Sequence, residues 1–158
     1  FAVFATDITL LERAEAYALL GQYDKAVADI NSELAVFSKH RVSLTLDQIK
    51  DFYNSLAYYT PSQPTPKKEL HPLFTIEQTT QEPLLQCILQ LRRLVTIHEG
   101  FRLQDVKRYG ITMYRRKVDV QSTVTAITDT MKAGDPRLAI QLPQDVITAG
   151  ITPNPRNK

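Results

Sequence analysis

The feature that most constrains this chain is a pair of helical patterns between Thr9 and Phe37. Gly21 divides the two patterns and permits the tight turn that a short connection between helices needs. Thr9 and Glu12 have the spacing of a capping box, which predicts that the first helix begins at Thr9. Apolar residues recur at helical spacing on both sides of the glycine: Leu10, Leu11, Ala14, Tyr17, Ala18 and Leu20 before it, and Ala26, Val27, Ile30, Leu34 and Phe37 after it.

The residues around this turn resemble one tetratricopeptide unit, whose repeat is about 34 residues long. Tyr17, Gly21, Tyr23 and Ala26 match its small-and-aromatic pattern. Small residues let the two helices approach closely, and the tyrosines fill the groove between them. The sequence holds no second clear copy, so we expect this helical hairpin to bury its remaining faces against other elements.

A third helix and an irregular excursion follow the hairpin. Thr45 and Gln48 have capping-box spacing and predict a helix over residues 46–57. The next segment, residues 58–82, carries four prolines. Because proline fixes φ and lacks an N–H group, this segment is predicted to be irregular.

Two more helices are predicted before the pattern changes. Pro83 suits a first helical turn and begins a predicted helix that runs to about residue 97. A short helix is predicted from Phe101 to Tyr109, and Gly110 ends it. The β-branched residues at 120–128 then favour an extended strand.

The predicted fold class is mostly α, with tetratricopeptide-like helical hairpins and an irregular, partly β C-terminal segment. Alternating apolar residues at 138–142 favour extended chain before Pro143 ends the run. The predicted segments are the hairpin and third helix at 1–57, the proline-rich excursion at 58–82, two signature helices at 83–110, and the irregular close at 111–158.

Charge and composition argue against nucleic acid and membrane as direct partners. The net charge is only +2, so the chain as a whole has no strong attraction to polyanions. Residues 92–117 nevertheless hold eight cations against Glu99 and Asp105: Arg92, Arg93, Arg102, Lys107, Arg108, Arg115, Arg116 and Lys117. We expect these cations to pair with acidic groups elsewhere in a larger protein or to lie on a solvated face. No apolar run approaches the roughly 18 residues of a membrane span.

Nothing in the sequence indicates an enzyme, a metal site or a cofactor. The three histidines are far apart, and the glycines form no phosphate-binding loop. Cys87 is the single cysteine, so no intrachain disulfide is possible, and its apolar neighbours predict a buried thiol.

Tyr58 and Tyr59 are the only candidates for ligand binding. They lie just before the proline-rich excursion, where tyrosine rings can stack on the faces of sugars. The alternative is that both rings pack behind the third helix.

Three stretches of the chain, in this order, resemble the SusD/RagB family. Residues 11–31 read LERAEAYALLGQYDKAVADIN, and residues 92–110 read RRLVTIHEGFRLQDVKRYG. The third stretch is LAIQLPQD at residues 138–145, followed by Asn154 and Pro155. The chain departs from the family pattern at Leu91 and Val95, where glutamates are usual beside the arginine pair. The resemblance indicates a divergent member, of which this chain is the C-terminal portion.

The resemblance implies a function that the residues alone do not. Members are lipid-anchored, surface-exposed nutrient-binding proteins of the Bacteroidetes outer membrane that cap a SusC-like TonB-dependent porin. The expected ligand is a glycan or other nutrient, the expected contact with the membrane is only through an anchor outside this chain, and the main binding residues are expected upstream of Phe1. The alternatives are a tetratricopeptide-type scaffold that binds a protein or peptide and, third, a glycan-degrading enzyme.

The signature also predicts a structural ion-pair network. Arg102 and Asp105 are three residues apart, so they share a face of the short predicted helix. Together with Arg93 and Glu99 they are predicted to fix the turn at Gly100.

Overall fold

The computed structural model describes residues 5–156. Most of its regular secondary structure is helical. The chain is 45% helical and adds one two-stranded antiparallel sheet, in agreement with the predicted mostly helical class. The elements are α1 (Thr6–Leu19), α2 (Tyr23–Phe37), α3 (Leu46–Ser55), α4 (Gln81–Val95), α5 (Arg102–Arg108), β1 (Met113–Val118), β2 (Val124–Met131) and α6 (Gln144–Thr148). None of the helices between residues 5 and 156 is long and apolar enough to cross a membrane.

Helices α1 and α2 pack against each other through small side chains. Ala14, Ala18 and Ala26 are completely buried. Gly21 adopts a φ of +72° in the three-residue connection, a conformation that costs glycine little. Across the pair, Arg13 binds the Asp29 carboxylate with two nitrogens: Nε lies 2.9 Å from Oδ2, and Nη2 lies 2.7 Å from Oδ1.

The structure confirms one of the two predicted capping boxes. Thr45 caps α3, since its side chain accepts from the Gln48 N–H while the Gln48 side chain accepts from the Thr45 N–H. The prediction for Thr9 was wrong, because α1 begins at Thr6 and Thr9 lies inside the helix. There the Thr9 hydroxyl donates to the Ala5 carbonyl one turn back, at 3.0 Å.

Helix α4 is the centre of the core and contacts α1, α2, α3 and α5. Leu84, Leu85 and Ile88 are completely buried, and Cys87 is buried as predicted. The helix starts at Gln81, two residues before the predicted start at Pro83. Its Gln81 side chain donates to the last carbonyls of α1, so the polar end of α1 is satisfied inside the protein.

A carboxylate ahead of α4 caps its first turn. The Glu77 side chain accepts from the backbone N–H groups of Thr79, Thr80 and Gln81, at 2.6, 2.8 and 3.0 Å, and from the Thr79 hydroxyl. These donors would otherwise lack partners at the start of a helix. The hydrogen bond from the Thr79 hydroxyl, followed by those from the backbone, lowers the pKa of the Glu77 carboxyl to about 2.

The segment between α3 and α4 contains no helix or strand in the structure, and side-chain amides hold it in place. The buried Gln86 amide accepts from the Lys68 N–H at 3.0 Å and donates to the Lys68 carbonyl. Further along, the His71 N–H donates to the Tyr109 carbonyl at 2.7 Å. A Cβ atom on Gly110 would lie 2.5 Å from the His71 carbonyl oxygen, so this close approach requires glycine.

Two predictions for the C-terminal segment need correction. The predicted strand at 120–128 begins only at Val124, because Asp119 builds the turn before it. The Asp119 carboxylate accepts from the N–H groups of Gln121 and Thr123, at 2.9 and 2.8 Å. Residues 138–142 form no strand: Leu138 ends a short 3-10 helix, and residues 139–142 have no strand partner among the described residues.

Side chains replace strand pairing in this last part of the chain. Gln141 accepts from the Asn154 N–H at 2.9 Å and donates to the Asn154 carbonyl at 3.1 Å. Arg156 donates to the carbonyls of Pro136 and Ala139, both at 2.9 Å. Both sets of hydrogen bonds close a loop that contains the short helix α6, which the sequence did not predict.

The Glu77 cap should make stability depend on acid. Because the folded-state pKa is depressed, the cap stabilises fully above pH 4.5, the ordinary value, and its contribution is lost as the pH falls towards 2. We expect Glu77→Ala to unfold at a lower urea concentration than wild type at pH 6. The difference between the two unfolding midpoints should shrink as the pH falls below 4.5. Thr79→Val removes only one donor, so it should cost less than Glu77→Ala. A gap that does not change with pH would contradict this assignment.

Candidate functional site

The structure contains two neighbouring clusters of charged side chains, and the first is buried. Arg92 on α4 donates from Nη1 to Asp105 Oδ1 at 2.6 Å and from Nη2 to the Glu15 carboxylate on α1. The other Glu15 oxygen accepts from Arg108 Nε at 2.8 Å and from the Tyr109 hydroxyl at 2.6 Å. We call these five residues the ion-pair network. It joins α1, α4 and α5 in the interior, where Glu15 and Arg92 are each 6% exposed and Asp105 is 2% exposed.

The two carboxyl groups of the ion-pair network respond differently to the same arginine. Burial raises the pKa of Glu15, but Arg92, Tyr109 and Arg108 lower it further, so the net direction is down. For Asp105 the net direction is up, because burial and, to a smaller extent, the Glu15 charge raise the pKa more than Arg92 and Arg102 together lower it. Its Oδ2 atom accepts no hydrogen bond from the described residues and lies 3.6 Å from Arg102 Nη1. The negative charge is therefore held more firmly on Glu15 than on Asp105.

The structure changes the membership of the network predicted from the sequence. Arg102 and Asp105 do meet, at 3.6 Å. Arg92 points inward where Arg93 was expected, and Arg93 is exposed. Among residues 5–156, neither Arg93 nor Glu99 forms an ion pair. The physical reason is helical phase, because one residue turns a side chain by about 100° around a helix.

The second cluster lines an open cavity of about 560 Å³. We call it the cationic pocket and define it by six lining residues: Tyr59, Lys68, Arg93, Arg102, Tyr114 and Arg116. Two of its cations face the Tyr59 ring, with Lys68 Nζ 3.4 Å and Arg116 Cζ 4.6 Å from the ring centroid. The Tyr114 ring stacks near the same ring, with centroids 6.0 Å apart. Attraction between the ring and the cations holds like charges close together.

None of the described residues that line the cationic pocket is acidic. Arg102 is partly neutralised by Asp105, whereas Lys68, Arg93 and Arg116 form no ion pair with any described residue. Burial, and then the charges of Arg93 and Arg102, lower the pKa of Lys68 to about 8. The pocket therefore carries an excess of positive charge that the described part of the protein leaves unbalanced.

The two tyrosines predicted as ligand contacts occupy different surroundings. The Tyr58 hydroxyl donates to the buried Glu82 carboxylate at 3.1 Å, and Lys67 Nζ lies 4.5 Å from its ring centroid. Tyr59 lines the cationic pocket, where its ring already faces Lys68 and Arg116 and stacks near Tyr114. Ligand binding by either tyrosine remains a prediction, and the geometry favours a role for Tyr59 in holding cations.

Sequence reasoning missed several residues of both clusters. Glu15, Arg108 and Tyr109 lie in the segments that carried the family resemblance, but their contact joins residues 93 and 94 positions apart. A usable signal was the inward phase of Glu15, which falls on the apolar face one residue after Ala14. Lys68 gave no such signal, because its position depends on an irregular loop.

Comparison with known proteins adds no relative, since no protein-family model, curated protein or solved structure matches the chain. Within residues 5–156, no group of three or more His, Cys, Asp or Glu side chains is placed to hold a metal ion. Burial raises the pKa of the Cys87 thiol to about 12, which keeps it protonated.

Replacement of Arg92 should destabilise the protein far more than replacement of its neighbour. Arg92→Met leaves Glu15 and Asp105 buried without their shared cation, a change that typically costs about 3–5 kcal/mol. Arg93→Met removes an exposed charge, so its effect should stay within about 0.5 kcal/mol. The measurement is the free energy of unfolding in urea at pH 7. Equal effects of the two variants would show that the network is not what holds α5 in place.

Lys68 should give the folded protein a distinct response to alkaline pH. Because its folded-state pKa of about 8 lies below the ordinary 10.5, the unfolded chain binds the extra proton between these values. The stability of wild type relative to Lys68→Met should therefore rise from pH 8 to 10.5. The same rise is expected relative to Lys68→Arg, which keeps its charge throughout. A difference in the free energy of unfolding that does not change with pH would contradict the depressed pKa of Lys68.

Proposed function

We propose that this chain is the C-terminal part of a SusD/RagB-like nutrient-binding protein that works with a TonB-dependent porin in the outer membrane. The observation that carries this proposal is the contact between the segments that resemble the family. Glu15 belongs to the first segment, and Arg92, Asp105, Arg108 and Tyr109 belong to the second. Residues far apart in sequence that resemble one family and also share one buried network support a common fold.

The third segment supports the proposal in the same way. Its two parts, LAIQLPQD and the Asn-Pro pair, are joined by the double hydrogen bond between Gln141 and Asn154. Asn154 Nδ2 adds a donor to the Ile140 carbonyl at 2.7 Å. All three segments therefore supply structural contacts, and the proposed tetratricopeptide-like pairing of α1 and α2 is one part of that frame.

In this proposal the chain braces a ligand-binding surface and performs no chemistry. The charges of the ion-pair network are paired, and the Cys87 thiol is held protonated, so neither supplies a nucleophile. Nutrient capture, lipid anchoring and porin contact would be completed by the rest of a longer protein.

A second candidate function has one observation in its favour. A cavity of about 970 Å³ lies beside the network and has apolar walls from Leu19, Leu73 and Phe74. Leu73 is fully exposed, and such a wall suits the side chain of a bound peptide. A tetratricopeptide-type scaffold that binds a peptide or protein partner would use this cavity.

The two functions are separated by experiments on the full-length natural protein. We expect it to co-purify from outer membranes with a TonB-dependent porin and to bind glycans on a carbohydrate array without hydrolysing them. We also expect its gene to encode a lipoprotein signal ending in cysteine. Tandem helical repeats without such a signal, together with peptide binding and no porin, would favour the scaffold. Hydrolysis of a bound glycan would show that the protein is an enzyme.

A further inference from the structure

We propose that the cationic pocket binds the carboxylate of an acidic saccharide, such as a uronic acid in an oligosaccharide. The inference builds on the proposed nutrient-binding function and adds to it the chemical class of the ligand and a location within this chain. It begins from the charge imbalance of the pocket, which has four cations and no acid among its lining residues.

Arg116 supplies the most specific observation. Its Nε and Nη2 atoms are buried and have no hydrogen-bond partner among the described residues. These two nitrogens form one edge of the guanidinium group, and that edge matches the two oxygens of a carboxylate. An unpaired buried donor is costly, so such an edge calls for an acceptor.

The same protein shows what this edge does when an acid is present. Arg13 uses its own Nε and Nη2 atoms to bind both oxygens of Asp29, at 2.9 and 2.7 Å. Arg116 offers the same pair of donors beside a cavity that contains no carboxylate. Because Arg116 Nε and Nη2 are both buried, the side chain must turn towards the cavity when a ligand binds.

The remaining walls suit a sugar better than a small inorganic anion. The cavity of about 560 Å³ falls within the range of small-molecule sites. Pro64, Ile111 and Met113 offer apolar surface to C–H groups, and Gln90 and Thr112 offer polar groups to hydroxyls. Gln86 holds the Lys68 backbone, and Lys68 Nζ donates to the Thr65 carbonyl at 2.6 Å, so the charge is placed before the ligand arrives.

The test uses the full-length protein and isothermal titration calorimetry at low salt. The probes are tri-galacturonic acid and its fully methyl-esterified form, which has the same length and no charge. We expect the acid to bind and the ester to bind at least tenfold more weakly, since a charged hydrogen-bonded pair is worth roughly that factor or more. Equal affinity for acid and ester would overturn recognition of the carboxylate.

Neighbouring arginines provide a matched control. Arg116→Gln should weaken binding of the acid by roughly tenfold or more, whereas Arg115→Gln removes the same charge from an exposed position and should have little effect. Lys68→Gln tests the other side of the Tyr59 ring and should also weaken binding. Thermal melts of each variant separate loss of a contact from loss of the fold. Equal weakening by Arg115→Gln and Arg116→Gln would overturn the proposed location.

The outcomes also distinguish this inference from the proposed function. If the protein co-purifies with a porin and binds only neutral glycans, the acidic ligand is wrong and the proposed function stands. If it binds no glycan and no porin, the proposed function itself fails. If a carboxylate from another part of the full-length protein fills the pocket, the acid will not bind and Arg116→Gln will lower the melting temperature, which would also overturn the inference.

Discussion

The fold depends on one buried arginine more than on any other side chain. Arg92 joins Glu15 on α1 to Asp105 on α5, and all three are at least 94% buried. Helix α5 has only seven residues, which is too short to be stable by its own backbone hydrogen bonds. Its position therefore depends on contacts to α1 and α4, and the charges specify that position more narrowly than apolar packing does. A charge that must meet its partner permits one arrangement of these helices, whereas apolar surfaces tolerate several.

The position of α5 in turn determines the irregular half of the molecule. The Tyr109 carbonyl at its end accepts from the His71 N–H, and Gly110 lies against the His71 backbone. These contacts at His71 attach the proline-rich excursion to the core. A second attachment is formed by the hydrogen bonds between the Gln86 side chain and the Lys68 backbone. The cationic pocket lies where these segments meet, so its geometry is set by side-chain amides and backbone contacts.

The sequence predicted regular helices well where a local signal existed. The Thr45–Gln48 capping box is a contact over three residues, and it formed as expected. The Thr9 prediction failed because the same pattern also occurs inside helices, where a hydroxyl can donate to the carbonyl one turn back. The β-branched run at 120–128 failed for a similar reason, since Asp119 competes for the backbone and makes a turn of its first residues.

Long-range contacts were beyond reach for a different reason. Whether Arg92 or Arg93 faces inward depends on the phase of α4, which the packing of Leu84, Leu85 and Ile88 in the core sets. The double hydrogen bonds of Gln86 and Gln141 join backbone segments 18 and 13 residues away, and nothing in their local sequence distinguishes them from exposed glutamines. Only the packing of the helices shows which residues of these segments meet.

The two charged clusters differ in one respect that bears on function. In the ion-pair network each charged group has an opposite charge within reach, so its members hold each other in place. In the cationic pocket, Lys68 and Arg116 are held beside Tyr59 by the weaker attraction to an aromatic ring. Burial, followed by the charges of Arg93 and Arg102, depresses the pKa of Lys68. Unbalanced charge of this kind costs folding stability. Charges that are already paired within the protein gain little free energy from a bound ligand. Unpaired cations, in contrast, can gain favourable electrostatic free energy by binding an anion.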